Sequence, residues 1–309
     1  MKAMICTKYG SPDVLMLKEV SIPTPKDNEV LVKVHASTVT AGDIRVRTFN
    51  SPVLLWIPMR IVLGFTKPRN PILGVELAGE IVSIGKKVKR FKKGDQIFAL
   101  TGMKLGAHAE YTCISENGLM TIKPVNVSYE EAASVLYGAT TALYFLRKGN
   151  IQEGKKVLIY GASGTVGTFA VQLAKQFGAE VTGVSSTANL EMVQALGADQ
   201  VIDYTKEDFI NRGNTYDIIF DAVGKKSKSN CKQALASNGS YVTVDGQGIA
   251  KVLMNDINYL ADLLERRKIH SVIDRYYSIE ELAEAHRYVE EGHKKGNVVI
   301  KVTHDESRC

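Results

Sequence analysis

Two periodicities divide the chain. Up to about residue 127, apolar residues cluster in short runs rich in Val and Ile: KAMICT (2–7), VLMLKEV (14–20), EVLVKVHAS (29–37), GEIVSIG (79–85) and GDQIFAL (94–100). Gly, Pro and Asn separate the runs, which predicts strands joined by turns. In EVLVKVHA, Val30, Val32, Val34 and Ala36 share one face of the pleat, and Leu31, Lys33 and His35 share the other. That alternation is the mark of a half-buried strand. His35 reads as a strand residue rather than a ligand.

From Ser128 the period lengthens. Ser128 and Glu131 have the spacing of a capping box, in which the hydroxyl accepts from the third amide and the carboxylate reaches back. A helix through AASVLYGATTALYFL (132–146) should follow. Beyond it strands and helical segments alternate. The strands are VLIYG (157–161), VTGVSS (181–186), QVIDY (200–204), YDIIFDAV (216–223) and SYVTVDG (240–246). In VGTFAVQLAKQFG (166–178), Phe169, Ala170, Leu173, Ala174 and Phe177 form one stripe. Such alternation calls for a parallel sheet with right-handed crossovers. A helix NDINYLADLLERRK (255–268), a second capping box at Ser278 and Glu281, a further helix and the strand VVIKV (298–302) end the chain.

The strand VLIYG runs into Gly161-Ala162-Ser163-Gly164-Thr165-Val166-Gly167 and then into the amphipathic helix. A strand, a glycine-rich turn and a helix within a βαβ unit make a dinucleotide-binding turn. Glycine lets the backbone approach a pyrophosphate, and the helix N-terminus presents amides and a positive dipole end to it. An ordinary strand–helix turn is the competing reading. The following strand ends in Ser185-Ser186-Thr187, without the carboxylate that usually holds the ribose hydroxyls of NAD. Hydroxyls suit a 2′-phosphate, so NADP(H) is favoured over NAD(H).

Bulk properties add little that conflicts. The net charge is +6, and the densest basic run is KKVKRFKK, from Lys86 to Lys93. It reads as a solvated edge, and nucleic acid is not an expected partner. The four cysteines, Cys6, Cys113, Cys231 and Cys309, are far apart and form neither a CxxC motif nor a zinc-knuckle spacing. No signal peptide is evident, and the cytoplasm is the expected compartment. The most apolar run, 52–65, is interrupted by Pro58 and Arg60 and is too short to span a bilayer. It is core, a greasy wall beside a ligand, or an interfacial patch.

GVELAGEIVSIG, GDQIFAL with GAHAEY, GATTAL, GASGTVG, LGADQVIDY and the closing KKGNVVIKV together resemble the medium-chain dehydrogenase/reductase superfamily, and within it the zinc-free quinone oxidoreductase (zeta-crystallin-like) branch. The resemblance covers nearly the whole chain. It implies an α/β protein with a GroES-like β-barrel catalytic domain and a Rossmann doubly wound parallel-sheet domain. The expected segments are 1–127 for the first part of the catalytic domain, 128–270 for the NADP(H) domain, and 271–309 returning to the catalytic domain. Zinc-dependent relatives carry a Cys and a His where this chain has Thr40 and Val75, and the structural-zinc loop is missing, so no metal is expected. Carried over by position, the resemblance puts Thr141 near the nicotinamide and Ser163, Gly164, Thr165, Val166 and Gly167 at the pyrophosphate. It puts Ser185, Ser186 and Tyr204 at the 2′-phosphate, Val223 near a ribose, and Asn297 near the nicotinamide end. Relatives that prefer NADPH often have Lys or Arg just after the second strand, and STANLE has neither.

Hydride chemistry belongs to the cofactor, and without a metal an electron-poor acceptor is the better substrate. Quinones and α,β-unsaturated carbonyl compounds fit. Asp43, Arg47 and Tyr137 are the candidate acid or polarising groups, each with a competing structural role. A zinc-free alcohol or aldehyde dehydrogenase, and a crystallin-like protein that binds NADPH without turnover, are the alternatives. By analogy with the family, a homodimer is expected.

Overall fold

The computed structural model describes residues 1–50 and 56–304. Residues 52–55 of the apolar run, and Cys309, lie outside the described residues. The chain divides into two compact units, Met1–Leu136 with Ile273–Cys309, and Tyr137–Val272.

In the first unit β1 (Lys2–Cys6) pairs antiparallel with β2 (Leu15–Glu19). Then come β3 (Glu29–Thr38), α1 (Ala41–Thr48), α2 (Trp56–Leu63), β4 (Glu76–Ile84) and β5 (Gln96–Leu100). β6 (Tyr111–Ser115), β7 (Leu119–Ile122) and α3 (Tyr129–Ala133) follow. Val30, Val32, Val34 and Ala36 are fully buried, as the alternation in β3 requires. The helix expected through 132–146 is broken. Ser128 Oγ caps α3 by accepting from Glu131 N at 3.1 Å, but Ser134 ends it, bonding back through Oγ to the carbonyls of Glu130 and Glu131. α4 (Leu136–Lys148) then starts afresh. Because α3 packs on β3, β4 and β5, the first unit extends to Leu136.

The second unit continues with β8 (Lys156–Tyr160), α5 (Thr165–Gln176), β9 (Glu180–Ser185), α6 (Leu190–Ala195) and β10 (Gln200–Asp203). β11 (Tyr216–Asp221), β12 (Leu235–Thr243) and α7 (Met254–Glu265) complete it. The five strands form one wholly parallel sheet in the order β10-β9-β8-β11-β12. The order reverses beside β8, and ligands of open α/β sheets sit at the carboxyl ends of strands where it does so. Phe169, Ala170, Leu173 and Ala174 of α5 are buried, whereas Phe177 is only half-buried.

The chain then returns to the first sheet. β13 (Ile273–Ser278) leads through a capping box at Ser278, where Glu281 accepts from the Ser278 amide at 2.8 Å, into α8 (Leu282–Glu290) and β14 (Asn297–Lys301). β14 pairs antiparallel with β3, Val299 opposite Thr38, and the seven-stranded sheet runs β13-β14-β3-β4-β5-β7 with β6 also on β3. Two bulges in the β3–β4 ladder let β3 curve and pair with β4, β6 and β14.

Candidate active site

The glycine turn after β8 is shaped by contacts that no larger residue could make. Gly161 has φ of 79°, and a Cβ there would lie 2.1 Å from Val223 Cγ2. A Cβ on Gly167 would lie 2.1 Å from the Gly161 carbonyl oxygen, so α5 can pack against the turn only with glycine there. The amides of Gly161 and Ala162 both donate to the Val184 carbonyl, at 3.1 and 3.0 Å, which ties the turn to β9. Gly164 differs. It is the N-cap of α5, no side chain caps the helix, and the nearest atom to an added Cβ is 3.6 Å away. The turn is braced behind and open in front, which is what a bound pyrophosphate needs.

α4 closes on the same place. A Cβ on Gly138 would lie 2.8 Å from the Thr165 carbonyl oxygen, so the first turn of α4 rests on the first turn of α5. Tyr137 and Thr141, both half-buried, flank that glycine on α4; Thr141 Oγ1 donates to the Tyr137 carbonyl at 2.7 Å. Val223 reaches Gly161 from the loop after β11. Asp221, fully buried, shapes that loop, its Oδ1 accepting from the amides of Val223 and Gly224 at 3.0 and 2.9 Å. The sequence pattern marks Asp221 only as a strand-end residue.

At the ends of β9 and β10 a second cluster forms. Ser185 is buried, with its hydroxyl 3.4 Å from the Ser186 carbonyl, so it does not face outward. Ser186 is half-buried and its Oγ accepts from Asn189 Nδ2 at 3.2 Å; Thr187 is exposed. Tyr204 is exposed, its amide bonded to the Ser185 carbonyl at 3.1 Å. Asp203 holds these ends together. It accepts from Thr187 Oγ1, from Thr205 N at 3.0 Å and from Thr205 Oγ1 at 2.7 Å, and Lys206 Nζ lies 3.7 Å from its Oδ2. The hydroxyls of Thr187 and Thr205 hold its carboxyl down to about 2. Thr187 and Lys206 are thus parts of the cluster that the sequence reading missed. Their signal was the convergence of two neighbouring βα loops, not a spacing. Tyr204 also walls a small cavity of about 90 Å³ with Tyr160, Glu207, Asp208, Phe209 and Lys226.

The remaining candidates belong to the first unit. Asp43 is fully buried at the start of α1. Its Oδ2 accepts from Thr40 N at 2.9 Å and Thr40 Oγ1 at 2.6 Å, and its Oδ1 from Gly74 N at 2.9 Å. Arg47 is also fully buried, and its nitrogens go to His286 Nδ1, the Gly10 carbonyl and Glu290 rather than to Asp43. Asn297 is buried at the start of β14. Thr40 spends its hydroxyl in the α1 capping box and Val75 offers no donor, so these positions do not fit a catalytic zinc. Among the described residues no three His, Cys, Asp or Glu side chains are grouped to hold a metal ion.

Residues 26–124 match the alcohol dehydrogenase GroES-like domain family, and residues 165–290 the zinc-binding dehydrogenase family. The chain is 36% identical to a 2-methylene-furan-3-one reductase of Solanum lycopersicum, over 97% of this chain and 79% of that one. It is 32% identical to a chloroplastic NADPH-dependent alkenal/one oxidoreductase of Arabidopsis thaliana, again over 97% and 79%. The solved structure of a quinone oxidoreductase from Coxiella burnetii superposes with a TM-score of 0.88 at 29% identity, covering 98% of this chain and 99% of that one. The chain belongs to the medium-chain dehydrogenase/reductase superfamily, in its quinone oxidoreductase branch.

Proposed function

We propose that this chain is an NADPH-dependent, zinc-independent reductase of quinones or α,β-unsaturated carbonyl compounds. The observation that carries the reading is the glycine turn, braced by Gly161 and Gly167 and open at the uncapped start of α5. When bound there, NADPH supplies a hydride to an electron-poor carbon. Gly164 leaves room for the pyrophosphate, and Ser163 and the first turn of α5, Thr165, Val166 and Gly167, present the positive end of the helix to it. Val223 packs beside a ribose. Ser186, Thr187, Tyr204 and Lys206 surround the 2′-phosphate, so Lys206 brings from the β10 loop the cation that the β9 loop lacks. Thr141 orients the nicotinamide end.

The same reading gives Asp43 and Arg47 to the scaffold, since both are fully bonded there. Tyr137, half-buried at the start of α4, is assigned to polarise the acceptor carbonyl; Tyr137→Phe should lower kcat/KM about tenfold while the Kd for NADPH holds. The absence of zinc rests on Thr40 and Val75. Assembly as a homodimer is supported by the open edge of β12 and by the exposed Ile249 and Leu253 that follow it. The free thiols of Cys6, Cys113 and Cys231 fit a reducing compartment, and the cytoplasm is the one proposed.

The test is a panel of quinones, enones and aldehydes with NADPH and with NADH. Oxidation of NADPH by quinones or enones supports the reading. No turnover with either cofactor removes it, and alcohol-dependent reduction of NADP would favour a dehydrogenase instead.

A further inference from the structure

α2 is apolar on the side that faces water as well as on the side that packs. Ile57, Ile61, Val62 and Phe65 are 64%, 53%, 56% and 64% exposed, with Trp56 at 45% beside them. The inner side is fixed by Arg60, whose guanidinium stacks 3.7 Å from the Phe49 ring centroid, 4.7 Å from that of Tyr9 and 4.9 Å from that of Trp56. Tyr9 Oη bonds the Gly64 carbonyl at 2.9 Å and closes the far end. The helix is therefore held against Tyr9 and Phe49 in an orientation that turns a row of branched and aromatic side chains outward. An exposed apolar patch of this kind marks a docking surface.

The charge around it identifies the occupant. No Asp or Glu lies between Asp43 and Glu76 in sequence, and that stretch carries Arg45, Lys67 and Arg69 besides Arg47, which is buried, and Arg60, which turns inward. Lys67 and Arg69 are exposed just beyond the helix. Asn70 Nδ2 bonds the Lys104 carbonyl at 2.5 Å, which brings exposed Met103 and Lys104 to the same side, in a second stretch free of acidic residues from Gln96 to Ala109. Apolar side chains with a tryptophan, and the exposed cations Lys67, Arg69 and Lys104 beside them, match the interface of an anionic bilayer. No described helix is long and apolar enough to cross a membrane, so the contact would be peripheral.

We propose that the α2 face docks the protein on anionic lipid bilayers, with Ile57, Ile61 and Phe65 entering the interface and Lys67, Arg69 and Lys104 meeting the headgroups. This holds whether or not the acceptor is a quinone. Trp56 is the chain's single tryptophan, so its emission reports on the face directly. Full-length protein is mixed with phosphatidylcholine vesicles, with or without phosphatidylserine. Emission should shift to the blue and the protein should sediment with the phosphatidylserine vesicles, less so as salt rises. The pair Ile61→Ser with Phe65→Ser should lower the partition coefficient at least tenfold, and Lys67→Glu with Arg69→Glu should abolish the preference for phosphatidylserine. Unchanged urea midpoints and NADPH binding would show that these variants fold. No shift and no sedimentation with either vesicle overturns the proposal. So does sedimentation equilibrium showing a dimer that Ile61→Ser with Phe65→Ser dissociates, because a second copy would then cover the face. Vesicle binding without any NADPH binding would defeat the functional reading and leave this one standing.

Discussion

Arg47 Nε donates to His286 Nδ1 at 3.2 Å, joining α1 to α8 across 239 residues of sequence. The guanidinium also reaches the Gly10 carbonyl and the Glu290 carboxylate, so three segments meet on one buried cation. Removing it leaves His286 Nδ1 and the Gly10 carbonyl without a donor, while Glu290, with 31% of its side chain exposed, can rehydrate. Arg47→Met should therefore destabilise the fold by about 3 kcal/mol. Arg47→Lys should recover only part, since one ammonium cannot serve three directions at once. Urea unfolding checks both. If Arg47 were instead part of the chemistry, Arg47→Met would lower kcat with little change in the midpoint.

The same bond fixes a proton. His286 accepts at Nδ1, so its hydrogen is on Nε2, which is buried without a partner. Protonating Nδ1 would set two N–H groups against each other. Burial first, then the nearby His108 and Arg47 charges, hold His286 well below the usual imidazole range. His35 is lowered to about 4, chiefly by burial and then by His304 and Lys33. A histidine neutral in the fold and charged when unfolded stabilises fully above about pH 6.5, and its contribution falls as pH drops below that value. The slope is about 1.4 kcal/mol per pH unit for His286, and less for the more exposed His35. Stability should thus fall between pH 7 and pH 5, before the carboxylates titrate. His286→Gln should flatten that fall, as followed by thermal melts at each pH; an identical pH profile would refute the assignment.

Strands and the glycine turn were legible because each is written in a local pattern. The turn needs only a strand, a glycine run and a helix in succession. The roles of Asp43 and Arg47 were not legible, because Gly74 and His286 lie far along the chain from them. α1 was missed for a different reason: AGDIRVRT has no apolar stripe, and the helix is held by its Thr40–Asp43 cap and by Arg47. Ser185 and Ser186 could not be told apart in sequence. β9 is buried on both faces, so period-2 alternation is lost and nothing local says which hydroxyl turns outward. β6 and β7, YTCIS and LMTI, were not read as strands from the sequence.

The glycine turn makes two opposite predictions from one added methyl group. At Gly167 a Cβ would sit 2.1 Å from the Gly161 carbonyl oxygen and 2.8 Å from Ala162 Cα, both backbone, so the protein itself must distort. Gly167→Ala should lower the melting temperature by several degrees, a cost of about 2 kcal/mol or more, and weaken NADPH with it. At Gly164 the nearest atom is the Gly161 carbonyl oxygen at 3.6 Å, so the methyl makes one ordinary van der Waals contact and forces no shift. Gly164→Ala should melt as the parent does yet lose at least tenfold in NADPH and NADH affinity alike. Equal affinity in Gly164→Ala, measured by cofactor fluorescence, would mean that the dinucleotide does not cross this turn.

Choice between the two cofactors should depend on the β9–β10 cluster alone. Asp203 is buried and already accepts three hydrogen bonds, so its charge is taken up inside the loop while Lys206, 69% exposed, stays available to a phosphate. A 2′-phosphate carries between one and two negative charges at neutral pH, and NADH has none at that position. Lys206→Met should then raise the Kd for NADPH about tenfold, about 1.4 kcal/mol, with the Kd for NADH unchanged. Ser186→Asp should do more, because it replaces a donor with a like charge at the mouth of the same cluster. Asp203→Asn provides the control: it should loosen Thr187 and cost stability, and it should weaken both cofactors rather than one. Titrations of the three variants with NADPH and NADH separate the cases, and a parallel loss of both affinities in Lys206→Met would remove the lysine from 2′-phosphate recognition.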